Sequence, residues 1–146
     1  MVALLDLSEA GLFGLFIATF LAATILPFSS EAILAAMALG PWSTISLWLV
    51  ASCGNWLGGM CSFGLGRWAD LARVAAWLRI EPRKVQRMQA WVRAQGFWSA
   101  LLTWLPIVGD PLAVALGLGK AHWIPVALLM FIGKAARYAV VLAILR

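Results

Sequence analysis

The sequence predicts an all-α polytopic membrane protein, built as an inverted repeat of a re-entrant helical hairpin plus a transmembrane helix. Three observations lead there. First, 64% of the 146 residues are hydrophobic and only 12% are charged, whereas a soluble domain is about half apolar and a quarter charged. Second, the charges leave long gaps: 21 uncharged residues lie between Glu9 and Glu31, and 35 between Glu31 and Arg67. A bilayer span needs about 20 apolar residues. Third, the chain repeats itself. Leu26-Pro27-Phe28-Ser29-Ser30-Glu31 recurs 79 positions later as Leu105-Pro106-Ile107-Val108-Gly109-Asp110, followed by Pro111. In the same register Thr24 falls on Thr103, Leu39 on Leu118, Gly40 on Gly119, Ile45 on Ile124, Gly54 on Gly133 and Arg67 on Arg146. The chain therefore reads as one membrane domain, residues 1–146, with repeats at about 10–67 and 91–146 joined by an amphipathic linker at 67–95.

Residues 1–9 form a short acidic lead. Asp6 and Glu9 without any Lys or Arg do not suit a cleaved signal. Residues 10–26 form an apolar helix of roughly 25 Å, interrupted at Pro27-Phe28-Ser29-Ser30. Ala32–Leu39 then runs to Gly40-Pro41, and as a helix it spans only about 12 Å. That is far short of a hydrocarbon core of about 30 Å. Residues 10–40 therefore predict a hairpin that turns back near mid-depth, with its freed backbone groups facing protein or water. The alternative takes 10–30 and 94–115 as complete spans, giving four crossings.

Trp42 to Gly66 is long enough to cross, with Trp42 and Trp68 at its two interfaces. Gly54-x-x-x-Gly58 gives it a close-packing ridge, and Cys53 and Cys61 read as packing residues. Residues 67–95 predict two short amphipathic helices broken at Glu81-Pro82. Val85, Met88 and Val92 share a face that would lie on the inner membrane surface, and Gly96 ends the second helix. The hairpin pattern then recurs. Phe97–Leu105 enters, Pro106 to Gly109 breaks, and Asp110-Pro111 starts a short helix to Gly119, with Asp110 as N-cap and Pro111 at the first helical position. Trp123 to Leu145 is the second full crossing, with His122 at its interface.

The net charge of +5 resides in one segment: Arg67 to Arg93 holds seven basic residues and two acids. By the positive-inside rule this segment is cytoplasmic. Flanking apolar spans make lipid headgroups its natural neighbours, and no nucleic-acid motif is present. A hairpin plus one crossing traverses the membrane an odd number of times. The second copy is then inverted, and both ends of the chain lie outside.

Glu31, Asp110, Lys134 and Arg137 lie inside apolar sequence, where a charge at bilayer centre costs about 2.5–3.5 kcal/mol on insertion scales. Two acids and two bases sum to zero, so mutual pairing would offset much of this cost. Lys134 and Arg137 are three apart and share a helix face, and Asn55 is the repeat partner of Lys134. These five residues are the candidate substrate- or ion-binding set. Pro27, Ser29, Ser30, Pro106, Gly109 and Pro111 form the hairpin breaks. One role for the acids is structural, capping the half-helices. The other is functional: two half-helix N-termini and two cations at mid-depth would hold an anionic headgroup, with the carboxylates carrying protons. No cofactor or metal is expected. One histidine and two cysteines make no metal pattern, and no nucleophile–base set points to an enzyme.

Together, Leu-Pro-x-Ser-Ser-Glu at 26–31, Gly54-Asn55-x-x-Gly58-Gly59 with Gly64-x-Gly66-Arg67, Trp104-Leu105-Pro106-x-x-Gly109-Asp110-Pro111, and Gly133-Lys134-x-x-Arg137-Tyr138 resemble the YqaA-like branch of the DedA family, also called the VTT or SNARE-associated Golgi protein family. The resemblance covers nearly the whole chain. It implies a multi-pass protein of the bacterial inner membrane with two re-entrant hairpins facing each other. It also implies lipid translocation: flipping of a polyprenyl-phosphate carrier in some bacterial members and scrambling of phospholipids in eukaryotic relatives, often with proton-motive-force dependence. Glu31 matches the acidic residue of the family's first hairpin. The second hairpin departs from the Gly-Arg-Phe-x-Pro-Gly-x-Arg of better-studied members, with Thr103 and Gly109 where the two arginines would fall. Lys134 and Arg137 would then supply that charge from the neighbouring helix. The expected function is translocation of an anionic lipid or lipid-carrier phosphate, with proton coupling and homo-oligomerisation left open. The alternative is a non-transporting scaffold that organises lipids or partner proteins.

Overall fold

The structure is a computed structural model that describes residues 2–24 and 29–145, with side chains from residue 11 onward. Pro27 and Phe28, at the first expected break, lie outside the described residues. Among those described, seven α-helices and one 3₁₀ helix account for the regular structure and no strand occurs. In chain order they are α1 (Val2–Ala22), α2 (Ser30–Ala38), α3 (Thr44–Trp68), α4 (Leu71–Leu78), α5 (Pro82–Gln95), the 3₁₀ helix η1 (Gly96–Trp104), α6 (Gly109–Leu118) and α7 (Trp123–Leu145).

Two long helices, α3 and α7, form the centre, and the shorter ones pack around them. Helix α3 touches α1, α2, α6 and α7, whereas α7 touches α2, α3 and η1. Each central helix buries one row of residues at four-residue spacing, the repeat that keeps side chains on one helix face. On α7 the row is Val126, Met130, Lys134, Tyr138 and Leu142. On α3 it is Leu47, Ala51, Asn55, Gly59 and Phe63. The two helices run antiparallel. The Trp48 indole donates to the Ala135 carbonyl at 2.8 Å, and Trp56 donates to Ala127 at 2.9 Å.

Small residues bring the backbones together, as in helix pairs that cannot rely on the hydrophobic effect. The Gly54–Gly58 ridge expected from the sequence lies on α1, where a Cβ at Gly54 would stand 2.6 Å from the Phe16 carbonyl oxygen. Where α3 crosses α6, a Cβ on Gly66 or Gly117 would run into the carbonyl of Val114 or Phe63. Helix α6 is consequently walled in, with every residue from Leu112 to Leu118 buried.

The outer surface is apolar. On α7, Ile124, Leu128 and Ile132 project outward, Leu128 being 62% and Ile132 56% exposed. Phe13, Ile17 and Leu21 do the same on α1, and Leu49, Leu57 and Leu65 on α3. Contiguous apolar surface of this kind needs lipid or a partner to cover it. Helix α7 is the one helix among the described residues that is both long and apolar enough to cross a bilayer unaided. Helix α3 has the length, 25 residues, but its buried Gly, Ser and Asn residues lower its mean hydropathy.

Several boundaries differ from expectation. Residues 2–9, read as a lead, continue α1 back to Val2, and α1 ends at Ala22 rather than at 26. The stretch read as Phe97–Leu105 is a 3₁₀ helix, Gly96–Trp104. There the Ser99 and Thr103 hydroxyls donate to the carbonyls three residues back, at 2.8 and 2.7 Å. The linker is two helices broken at Glu81-Pro82 and closed at Gly96, as the sequence suggests. Its apolar face, however, rests on protein. Val74, Ala75 and Val85 pack with Val114 and Leu118 of α6, and Val92 joins the cluster around Leu112 and Leu116. Cys53 and Cys61 are free thiols on the exposed side of α3, not in its packed face.

Candidate functional site: a charged cavity between two helix breaks

Helices α1 and η1 end in apolar sequence beside α3 and α7, and those ends have backbone groups to satisfy. A helix leaves its last four carbonyls without intrahelical partners, a severe cost away from water. At the end of α1, the Asn55 amide donates to the Thr19 carbonyl at 3.1 Å and Ser62 donates to Ala23 at 3.0 Å. At the end of η1, Arg137 donates to the Trp104 carbonyl at 3.1 Å. Side chains of α3 and α7 thus complete the broken ends of their neighbours.

The two short helices begin in matching ways. Helix α2 starts at Ser30 and α6 at Gly109, so Glu31 and Asp110 are each the second helical residue. Neither acid is the N-cap. Ser29 caps α2, its Oγ accepting from the Ala32 amide at 3.4 Å. Helix α6 has Val108 at the cap position and no side-chain cap, which corrects the expected capping by Asp110 with Pro111 first. The reason is geometric. The turn through Pro106 and Ile107 already bonds the Gly109 amide to the Leu105 carbonyl at 2.9 Å, so the helix starts one residue early. Both carboxylates still lie in a first turn, where the helix dipole favours negative charge.

Instead of capping, the acids reach α7. Asp110 stands 3.6 Å from the Lys134 ammonium, and Glu31 pairs with the Arg137 guanidinium. Lys134 also donates to the Asn55 Oδ1 at 2.6 Å and is only 1% exposed. Beside them the Tyr138 hydroxyl and Ser30 share a 2.7 Å hydrogen bond. One polar chain therefore runs from α1 through Asn55 and Lys134 to Asp110. A second runs from η1 through Arg137 to Glu31 and its neighbour Ser29, whose hydroxyl donates to the carboxylate at 3.1 Å.

These groups border a cavity of about 720 Å³. Glu31, Asn55, Asp110 and Arg137 line it, with Ser29, Ser30, Pro106 and Pro111 from the breaks. Of the five candidate binding residues only Lys134 does not, being sealed behind Asn55 and Asp110. Gly109 is also withdrawn, buried against the end of η1. Part of the wall comes from elsewhere: Trp77, Leu78 and Arg79, at the end of α4, line the same space. These three, with Tyr138, Thr19 and Ser62, are the contributors that sequence reasoning missed. Tyr138 carried a signal, being the single tyrosine of the chain and adjacent to Arg137. The α4 residues carried none beyond their place in a basic segment. His122 is exposed just before α7, as expected of an interfacial residue. Among the described residues no group of His, Cys, Asp and Glu could hold a metal.

Fold and site together define a helical membrane protein with a charged cavity enclosed by broken helices. The chain is 38% identical over 142 residues to "Inner membrane protein YqaA" of Escherichia coli strain K12, covering 94% of this chain and 93% of that one. The Shigella flexneri protein of the same name matches equally, and an uncharacterized protein of Haemophilus influenzae is 33% identical over 138 residues, 88% of this chain and 83% of its own. No family model and no solved structure matches significantly. The chain belongs to the DedA family, in its YqaA-like branch.

The Lys134 network yields a stability prediction. Removing one partner of a buried ion pair costs about 3–5 kcal/mol, whereas replacing both by apolar groups is often neutral. Asp110→Leu should therefore lower the thermal midpoint in detergent markedly, and adding Lys134→Met should restore most of it. A double variant no more stable than the single one would show that the pair does not carry the effect.

Proposed function

We propose that the protein translocates an anionic lipid or lipid-carrier phosphate across the bacterial inner membrane, using two re-entrant hairpins arranged as an inverted repeat. The observation that carries this reading is the cavity. Ser29 and Ser30 from the first break and Pro106 and Pro111 from the second line it, together with both acids and Arg137. Mid-depth cavities between discontinuous helices are where secondary transporters hold their substrates.

The inverted repeat has support in the contacts. The buried rows of α3 and α7 correspond residue for residue at the 79-residue offset. Asn55 and Lys134, related by that offset, hydrogen-bond to each other, as repeat partners would on a two-fold axis. The indole bonds follow the same rule: Trp48 to Ala135 and Trp56 to Ala127 exchange places when the offset is applied. Helices α2 and α6 are 9 and 10 residues long. At about 1.5 Å per residue each reaches only half-way through a core of about 30 Å. The family resemblance supports the lipid substrate and the inner-membrane location.

Coupling to protons fits the same geometry. Glu31 and Asp110 are 27% and 33% exposed, so each paired carboxylate has an edge on the cavity. Protonating Glu31 removes the charge that holds Arg137, freeing that cation to meet an anion in the cavity. A scaffold is the second reading, and one observation favours it: Glu31, Asp110, Lys134 and Arg137 already have partners within the protein.

Orientation can be tested directly. The basic linker should lie inside and the end of α7 outside. In a chain with Cys53 and Cys61 replaced by alanine, Leu145→Cys should react with an impermeant thiol reagent on intact cells. Gln86→Cys should react only in inverted vesicles. Labelling of Leu145→Cys solely from the inside would reject the inverted arrangement.

Transport is best tested with the compensated variant Asp110→Leu/Lys134→Met, because its fold should be intact. In liposomes the unaltered protein should move fluorescent phosphatidylglycerol between leaflets, and the variant should be at least about tenfold slower, as loss of a charged interaction worth about 1.4 kcal/mol implies. Equal rates would assign this pair a purely structural role. No movement by the unaltered protein, for this lipid or a polyprenyl phosphate, would favour the scaffold.

A further inference from the structure

Neither Lys134 nor Arg137 is free to bind an anion at rest. Lys134 is held by Asp110 and Asn55, and Arg137 by Glu31 and the Trp104 carbonyl. The acids and bases of these pairs sum to zero. One further charged residue lines the cavity among those described: Arg79, at the end of α4. Its exposed side chain makes no ion pair or hydrogen bond with the described residues.

The backbone at Arg79 is that of a helix stop. It closes α4 in the left-handed conformation, φ 53° and ψ 41°. The Ile80 amide bonds to the Ala75 carbonyl at 3.2 Å and the Arg79 amide to Ala76 at 3.3 Å, a helix stop in which glycine is the usual residue at this position. An L-residue there is disfavoured by contact between its Cβ and backbone. Among the described residues two other non-glycine residues have positive φ, Ile107, which lines the same cavity, and Lys120. The Lys120 side chain has a structural task, donating to the Arg67 carbonyl at 2.9 Å. Arg79 has none, yet it occupies a glycine position at the rim of the charged cavity. The two residues before it, Trp77 and Leu78, give the same wall an apolar surface.

We propose that Arg79 is the anion-recognising residue of the cavity, receiving the phosphate of an amphiphile with one net negative charge while Trp77 and Leu78 contact its apolar part. The linker thereby contributes a cation to the cavity wall. A guanidinium presents paired N–H donors to a phosphate, and such charge-assisted bonds are stronger than neutral ones. This assignment rests on the transport reading for its substrate class, but binding can be measured without transport.

The test uses the full chain in a non-ionic detergent, titrated with dihexanoyl phosphatidylglycerol, dihexanoyl phosphatidylcholine and inorganic phosphate. Arg79→Gly should fold with unchanged or higher thermal stability, because glycine suits the left-handed position. It should bind phosphatidylglycerol at least about tenfold more weakly, the loss of one charged contact. Its affinity for phosphatidylcholine should hardly change. Arg83→Gln, an exposed neighbour outside the cavity, should bind phosphatidylglycerol as the unaltered protein does. Arg79→Lys should recover only part of the affinity. Unchanged binding in Arg79→Gly, or an equal loss in Arg83→Gln, would overturn the assignment. Phosphate binding as tight as phosphatidylglycerol would overturn the amphiphile. Arg79-dependent binding without leaflet exchange by the unaltered protein would reject transport and leave the binding residue standing.

Discussion

Everything near the centre of this protein depends on two cations carried one helical turn apart by α7. Lys134 joins α3 and α6 through Asn55 and Asp110, and Arg137 joins α2 and η1 through Glu31 and the Trp104 carbonyl. Two broken segments are thereby tied to a single continuous helix. The constraint behind this is solvation. A break in a helix within lipid exposes carbonyls and amides that need partners, and a charge placed there needs a counter-charge. Supplying both from the neighbouring long helices satisfies the two requirements together. It also leaves a cavity lined by both acids and Arg137.

The glycines and small residues serve the same end by other means. Asn55 reaches the Thr19 carbonyl because Gly54 and Gly58 let α3 lie directly on α1. Helix α6 presents Asp110 to Lys134 because Gly66 and Gly117 permit its close crossing with α3. Packing sets the distances over which the charges act, and the apolar exterior leaves the protein surface to lipid. The linker then covers α6 from one side and brings the end of α4 to the cavity. A charged segment that hydropathy alone assigns to the membrane surface so becomes part of the cavity wall.

Much of this was legible in the sequence for definable reasons. The breaks announced themselves because Pro106 and an acid interrupt apolar sequence, and the acids' partners were implied by charge balance in a medium that forbids isolated ions. Which acid meets which base was not legible, since spacing along a chain does not encode approach between helices. Asp110 followed by Pro111 looked like a cap because that dipeptide often is one, but a tight turn started the helix at Gly109 and freed the carboxylate for Lys134. The apolar face of α5 looked membrane-bound because Val85 and Val92 would bury equally well against lipid or against α6. Cys53 and Cys61 were misplaced for the same reason: in a bilayer, apolar residues face outward as readily as inward.

The central claim, that α7 holds a broken segment by direct charge pairing, is tested most directly by a double-mutant cycle on Glu31 and Arg137. Thermal or chemical unfolding in detergent would be measured for Glu31→Gln, Arg137→Gln and the pair together. Residues in one ion-pair network show coupling of about 0.5–3 kcal/mol, whereas independent sites add to within about 0.3–0.5 kcal/mol. A coupling above about 1 kcal/mol is the expected result. Strict additivity of the two single losses would contradict the account.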